Sequence, residues 1–361
     1  MTVEVFGVEP HAAQLIWRRR RSNSDPATVA VHAQEYRLDS PDLVGSIDVA
    51  GLDPSTHYDV CVDNNPVTSF TTLTPPPGRL VGGIATISDL HIGERSFGVL
   101  FHQRHPTALH PQMCLDAALD EITTWAPDLV VVKGDLVHQP THDNYSAVAQ
   151  RLLGTGLAML ILPGNHDGGD HVGADPSATL GGHGVDLTTH VATHNVGGLT
   201  VIGGSTVRAG QARGTLKWVA DDLVRTVGTT GPCLMALHHQ LGRTRTLRYW
   251  PLGIRRAEAV GFLNRLYEAN PNVVVTSGHT HRHRRRTHGS ITVTEVGSTK
   301  DYPGSWAKYL VYEGGIVQTV RRIADPDVLR WTEQTAKVAG SAWGRWSPGT
   351  LADRCFSVAW C

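Results

Sequence analysis

Five short polar stations, each at the end of a β-like apolar run, constrain this chain more than any other feature. They are Asp89-Leu90-His91, Gly134-Asp135, Gly164-Asn165-His166-Asp167, His238-His239 and Gly278-His279-Thr280-His281. In a layered α/β sheet such stations converge at the strand carboxyl ends, where folds of that kind place their sites. Each alone has a bland reading: Gly-Asp after a strand is a turn, and a His pair is a surface or core feature. Together, in this order, they supply carboxylate oxygen, imidazole nitrogen and one amide oxygen, the donor set of a pair of divalent ions. Asp135 can bridge two cations because its oxygens accept independently. The D-x-H and H-x-H spacings let alternate positions reach one ion, and the glycines let the chain turn tightly around it.

From Gly83 onward β-like and helical runs alternate, which marks an α/β domain with a mixed sheet core. Strands are predicted at Ile84 to Ser88, Leu129 to Lys133, Leu157 to Leu162, Thr200 to Gly203, Cys233 to Leu237 and Val273 to Thr276. Helices are predicted at Pro111 to Trp125, Asn144 to Leu153, Leu216 to Val227 and Arg255 to Tyr267. Ile291 to Val296, Tyr309 to Tyr312 and Ile316 to Arg321 close the domain as a meander. Beyond it, residues 325–361 read as a C-terminal tail, with a helix at Asp327 to Val338 and with Trp331, Trp343 and Trp346 packing it onto the body.

Residues 1–74 have a different texture. Alternating runs at Ala13 to Trp17, Thr28 to His32, Tyr58 to Val62 and Val67 to Thr71 are separated by turn residues, which predicts a small all-β domain. Residues 75–82, opening with Pro75-Pro76-Pro77-Gly78, read as a stiff linker to the α/β domain, which spans 83–324. The length, 361 residues, suits two domains. A net charge of −1 provides no field for holding nucleic acid or an anionic membrane, so neither is expected as a partner. No run reaches the ~20 apolar residues of a membrane span, and the start lacks a secretory pattern. Five cysteines without a CxxC pair point to a reducing compartment and a cytoplasmic protein, with Cys355–Cys361 as the minor alternative pairing.

The series DLH, GDL, GNHD, HH and GHTH resembles the calcineurin-like metallophosphoesterase superfamily over about residues 83–322. The resemblance implies a four-layer αββα sandwich and two metal ions, with manganese, iron and zinc all compatible. Carried over position by position, Asp89, His91 and His281 bind the first ion, Asp135 bridges, and Asn165, His238 and His279 complete the second. Gln240 stands where the family's H-x-P pattern has proline, so the choice of His238 over His239 follows the first position of that pattern. Within the superfamily the chain is most similar to class III cyclic nucleotide phosphodiesterases and bacterial glycerophosphodiesterases, notably in the Tyr145 helix after GDL. The N-terminal region, with Leu52-Asp53-Pro54 preceding Tyr58, resembles a fibronectin type III domain with its tyrosine corner. Purple acid phosphatases share such a domain but have D-x-G at the first station and a tyrosine after GD. Here His91 and Val137-His138 stand instead, so no tyrosinate-to-iron colour is expected. The near-neutral charge and the lack of a DNA-capping region argue against the Mre11-type nucleases.

The implied reaction is in-line attack on phosphorus by a hydroxide bridging the two ions, on a small phosphodiester of the cyclic nucleotide or glycerophosphodiester type. His166 is implied to stabilise the transition state or protonate the leaving oxygen. Asp167 either orients that imidazole or caps the turn. A phosphomonoesterase is the alternative. So is a non-catalytic protein acting through partners or self-association of the N-terminal domain, against which the intact ligand set argues.

Further candidates carry two readings each. Arg282, Arg284, Arg285 and Arg286 form an anion-attracting rim or a solvated hairpin. His102, His105 and His110 border the pocket or lie on the surface, and His138 and His183 reach the substrate or do not. Residues 243–250, with Tyr249 and Trp250, stack a ring or pack as a lid. Arg18 to Arg21 reads as a solvated strand end.

Overall fold

The computed structural model describes residues 1–20, 26–39, 41–98, 102–106, 109–168, 174–242 and 251–361. Its first part has seven strands: Thr2–Val8 (β1), Ala12–Arg18 (β2), Ala27–Val31 (β3), Gln34–Leu38 (β4), Val44–Ala50 (β5), His57–Val62 (β6) and Asn65–Thr71 (β7). They form two antiparallel sheets, ordered β1-β2-β5 and β4-β3-β6-β7. Alternate residues point inward, so Leu15, Trp17, Val29, Val31, Ile47, Val49, Val60 and Phe70 make one core. Asp63 and Asn64 both take positive φ in the two-residue turn joining β6 to β7, a conformation Asp and Asn tolerate best among side-chain-bearing residues. The Tyr58 hydroxyl accepts the Asp53 N–H at 2.9 Å.

The larger part runs β8 (Leu80–Ile87), α1 (His110–Trp125), β9 (Leu129–Lys133), α2 (His142–Gly154), β10 (Met159–Leu162), α3 (Pro176–Gly182), β11 (Val191–Val196) and β12 (Leu199–Gly204). It continues with α4 (Ala220–Gly228), β13 (Cys233–Leu237), α5 (Arg256–Ala269), β14 (Val273–Ser277), β15 (Arg284–His288), β16 (Ile291–Glu295), β17 (Ser305–Tyr312) and β18 (Gly315–Arg322). Last come α6 (Pro326–Thr335), α7 (Ala342–Trp346), α8 (Leu351–Arg354) and β19 (Cys355–Ala359).

Two six-stranded sheets result, β10-β9-β8-β17-β18-β19 and β11-β12-β13-β14-β16-β15. Val131, Leu160 and Leu162 of one sheet share a core with Val201, Leu234 and Val274 of the other. The outer face of the first sheet is covered by α1 and α2 through Leu115, Ile122, Val148 and Leu152. That of the second is covered by α4 and α5 through Leu223, Val227, Phe262 and Leu266. Strands buried on both faces carry continuous apolar runs, and β9, β13 and β14 do so. β8, β9 and β10 run parallel in one sheet, and β12, β13, β14 and β16 in the other.

The N-terminal sandwich is packed onto this body. Phe6, Ile16 and Val44 enter the same cluster as Val320 and Leu329. The buried Gln14 amide donates to the Arg322 carbonyl at 2.9 Å and accepts the Arg322 N–H at 2.8 Å. The segment expected to pack as a tail does more than that: β19 pairs with β18 as an edge strand of the first sheet. Cys355 and Cys361 are both free, and the Cys355 sulfur accepts the Val8 N–H at 3.2 Å. No helix among the described residues is long and apolar enough to cross a membrane.

Candidate metal centre

Asp89 and His91 leave the end of β8, Asp135 that of β9, and Asn165 to Asp167 that of β10. His238 and His239 follow β13, and His279 and His281 follow β14. The chain bends sharply at each exit. Asp89, His91, Asp135, His279 and His281 all have left-handed backbone, with φ between 47° and 67°. Such a conformation costs a residue with a Cβ on the order of 1 kcal/mol or more and clusters at functional sites. Two glycines serve close approach rather than bending. A Cβ on Gly164 would lie 2.2 Å from Asp135 N and Oδ1, and one on Gly278 would lie 1.8 Å from Ser88 Oγ.

The donors converge. Asp135 Oδ1 lies 3.5 Å from His238 Nε2, while its Oδ2 lies 3.4 Å from His91 Nε2. Asn165 Oδ1 is 3.2 Å from His238 Nε2, and Asp89 Oδ1 is 3.5 Å from His281 Nε2. One donor atom from each of Asp89, His91 and His281 falls within a common 4.8 Å, and so does one from each of Asp89, Asp135 and His238. Both ring nitrogens of His91 and the Nε2 of His279 are buried without a hydrogen-bond partner. Burying unpaired polar nitrogen is unfavourable, and donors that share one ion with bonds of about 2.1 Å stand roughly 3 Å or a little more apart. The residues therefore fit two metal ions.

Partners behind the ring nitrogens fix which one faces inward. His238 Nδ1 donates to the Lys133 carbonyl at 2.7 Å, and His281 Nδ1 donates to Asp301 at 2.6 Å, leaving each Nε2 aimed into the site. Ser88 Oγ donates to Asp89 Oδ2 at 2.6 Å. Asp301→Asn is expected to weaken first-ion binding about 10–100-fold in a calorimetric titration while leaving the second ion in place. Equal affinity in mutant and wild type would show that Asp301 is only structural.

The imidazoles are tuned in opposite directions. Burial works against a charged His238, but the Asp135 carboxylate outweighs it and lifts the group to about 9. Burial likewise opposes His281, yet Asp301 and Asp89 raise it to about 10. Burial, reinforced by His238, lowers His279 to about 3. In metal-free protein the first two groups stabilise the fold fully below the ordinary value of 6.5, and that contribution disappears as pH rises through 9 and 10. His279 costs stability as pH falls from 6.5 towards 3. Melting temperatures of chelated protein should thus decline as pH rises from about 6.5 through 9 and 10, and bound metal, which displaces those protons, should remove the decline. An alkaline-flat profile without metal would contradict these assignments.

His166 and Asp167 separate in role. The His166 N–H donates to Asp135 Oδ1 at 2.9 Å and its Nδ1 donates to the His138 carbonyl at 3.1 Å, with the ring partly exposed. Asp167 does not orient that imidazole. Its carboxylate accepts the N–H groups of Gly164, Leu136 and Val137 at 2.8, 3.0 and 3.2 Å, tying the β10 exit to the β9 exit.

The arginine run is neither rim nor solvated hairpin. Arg284 donates to the Trp346 carbonyl and Arg286 to the Leu241 carbonyl, while Arg282 and Arg285 lie over the Trp346 and Phe356 rings. His110 is buried against Trp331 and Glu94, and His105 meets the Trp331 edge. His102 is exposed, and His183 bonds Ser146. His138 does approach the site, its ring 5.5 Å from that of His166. Arg18 pairs with Glu4 and Glu333 and Arg19 is buried, so these two are not solvated, whereas Arg20 is exposed and Arg21 lies outside the described residues. Residues 243–250 lie outside them too. Gln240, in the proline position, donates to the Pro251 carbonyl. Sequence reasoning missed Asp301, Glu94 and Lys300. Lys300 bonds Glu94 at 2.5 Å, and Glu94 lies 3.8 Å from His138. Asp301 alone carried a signal, being a carboxylate a few residues past the end of another parallel strand.

Two stacked sheets with carboxylates, imidazoles and an amide gathered at one rim define a metallophosphoesterase scaffold. Residues 83–283 match the family model described as calcineurin-like phosphoesterase, and this chain belongs to that family. It is similar to a protein of Vesicomyosocius okutanii named probable cyclic nucleotide phosphodiesterase, at 28% identity over 26% of this chain and 37% of the relative. A protein of the same name from Psychrobacter is 27% identical over 52% of this chain and 56% of the relative. The chain thus spans between about a third and just over half the length of these relatives. A dimetal phosphatase from Danio rerio superposes with a TM-score of 0.51 at 12% identity, covering 68% of this chain and 98% of that one, which is an agreement of fold.

Proposed function

We propose that this chain is a dinuclear metal-dependent phosphoesterase that hydrolyses small phosphodiesters of the cyclic nucleotide or glycerophosphodiester type. One observation carries the reading: the two oxygens of Asp135 face different histidines, His238 and His91, so a single carboxylate is positioned to bridge. Asp89, His91 and His281 would hold one ion, and Asn165, His238 and His279 the other. When bound, the ions would supply a nucleophile at neutral pH and neutralise charge on phosphoryl oxygens.

The chain's own residues supply the rest. Asp167 locks the two strand exits together, so that Asp135 and Asn165 keep their separation. The His138 carbonyl holds His166 by Nδ1, which leaves Nε2 as the atom that delivers a proton to the leaving oxygen. The similarity to proteins named for cyclic nucleotide hydrolysis supports the diester preference. We read the N-terminal sandwich as fibronectin type III-like, supported by its strand order and the Tyr58–Asp53 contact.

The test is a substrate panel on chelated protein reloaded with manganese, iron or zinc, comparing bis(para-nitrophenyl) phosphate and cyclic nucleotides with para-nitrophenyl phosphate. Higher kcat/KM on diesters is expected. A monoester preference would replace the diester reading, and no turnover with two ions bound would leave the N-terminal sandwich as the functional part.

A further inference from the structure

We infer that His239 is an additional protein ligand of the second ion, making that site richer in imidazole than the first. It has this role only if the dinuclear reading above holds. His239 is completely buried at the exit of β13, beside His238. Its Nδ1 lies 2.8 Å from Thr206 Oγ1, and its backbone N–H donates to the same oxygen at 3.3 Å. Thr206 sits just beyond β12, so a sixth strand exit is used to hold this ring. On the Nδ1 side the ring also meets Gly214, where a Cβ would stand 2.4 Å from His239 Cγ and 2.5 Å from Nδ1. The ring is therefore clamped from behind. Its remaining nitrogen, Nε2, is buried and has no hydrogen-bond partner.

That nitrogen has company. The His239 ring centroid is 4.6 Å from that of His279 and 4.8 Å from that of His238. One ring nitrogen from each of these three residues lies within a common 4.8 Å. A purely space-filling role would be served by an apolar side chain, without leaving a buried nitrogen unpaired. A substrate contact needs an accessible atom, and Nε2 is closed to water. A bound cation meets the requirement from within, provided Nδ1–H donates to Thr206 and the lone pair stays on Nε2. His238 and His281 are fixed by the same logic, with Lys133 and Asp301 as their partners. Three imidazoles with one carboxylate and one amide oxygen suit a borderline divalent ion such as zinc or ferrous iron better than magnesium or calcium.

The test uses the chelated full chain, titrated calorimetrically with zinc as wild type, His239→Leu and Thr206→Val. Melting of each metal-free protein serves as the folding control. Expected are two ions in the wild type, an unchanged first affinity in His239→Leu, and a second affinity at least about tenfold weaker. Thr206→Val should shift the second affinity in the same direction by less. A folded His239→Leu protein that takes both ions with wild-type affinity overturns the assignment. Should that variant not fold, a crystal structure of zinc-loaded wild type decides. His239 Nε2 at about 2.0–2.1 Å from the ion supports the assignment, and Nε2 bonded instead to a water or a protein group overturns it. If the wild type itself takes fewer than two ions, the dinuclear reading fails as well, a result distinct from wild-type behaviour in His239→Leu.

Discussion

Asp135→Asn is expected to lose tight binding of both ions and at least about a thousandfold in turnover. Removal of the metals' several kcal/mol of transition-state stabilisation has that consequence. Asparagine keeps the size of the side chain and tolerates the left-handed backbone at φ 52°, so the exit of β9 should survive. What disappears is the charge and one of the two accepting oxygens. Those oxygens stand 3.5 and 3.4 Å from His238 and His91, so each faces a different histidine. An amide can face an acceptor oxygen to one side only and presents N–H donors to the other, which repels a cation. Metal analysis after chelation and reloading should fall from about two ions per chain to one or none. A variant retaining two tightly bound ions and near-wild-type turnover would remove Asp135 from the bridging position and with it the dinuclear mechanism.

The parts of this site that could be read from sequence are those whose chemistry is local. Asp89 and His91, or His279 and His281, lie two residues apart on one strand exit, so a short window contains two donors. What holds those donors was invisible because each support is a single residue paired across a long stretch of chain. Thr206 reaches His239 33 positions away, Asp301 reaches back 20 to His281, and Lys300 meets Glu94 across 206. Asp167 belonged to a readable motif, yet its carboxylate faces backbone N–H groups of another exit, which no spacing reveals. The strands divide along the same line. Buried β9, β13 and β14 have continuous apolar runs and were legible. The strands with no sequence signal, β1, β4, β5, β11, β15 and β19, all lie at sheet edges, where one side needs no partner and polar residues are tolerated. β15, Arg284–His288, is the extreme case, a strand made largely of cations that read as a solvated run. Arg284 and Arg285 instead bind the C-terminal segment and Arg286 the Leu241 carbonyl, so charge there serves packing.

His166→Ala should show the opposite pattern to Asp135→Asn: full metal content with turnover lowered about 10²–10⁴-fold, the ordinary contribution of a positioned acid. Metal content should persist because only the backbone N–H of His166 touches Asp135, and alanine retains that N–H. The ring instead reaches His138, whose carbonyl takes Nδ1–H, and lies edge-on to His91 with centroids 4.5 Å apart. That places Nε2 beside the first-ion side of the site, on a ring that is not sealed from solvent. Two functions fit such a position, and a series of diesters with leaving groups of rising basicity separates them. If Nε2 gives its proton to the leaving oxygen, the loss should be small for para-nitrophenyl esters, whose anion departs unaided, and large for alkyl esters. If the ring only balances charge on phosphorus, the loss should be the same across the series. Full activity of His166→Ala on an alkyl diester, with two ions bound, would exclude both functions and leave the imidazole as part of the wall that the His138 carbonyl holds in place.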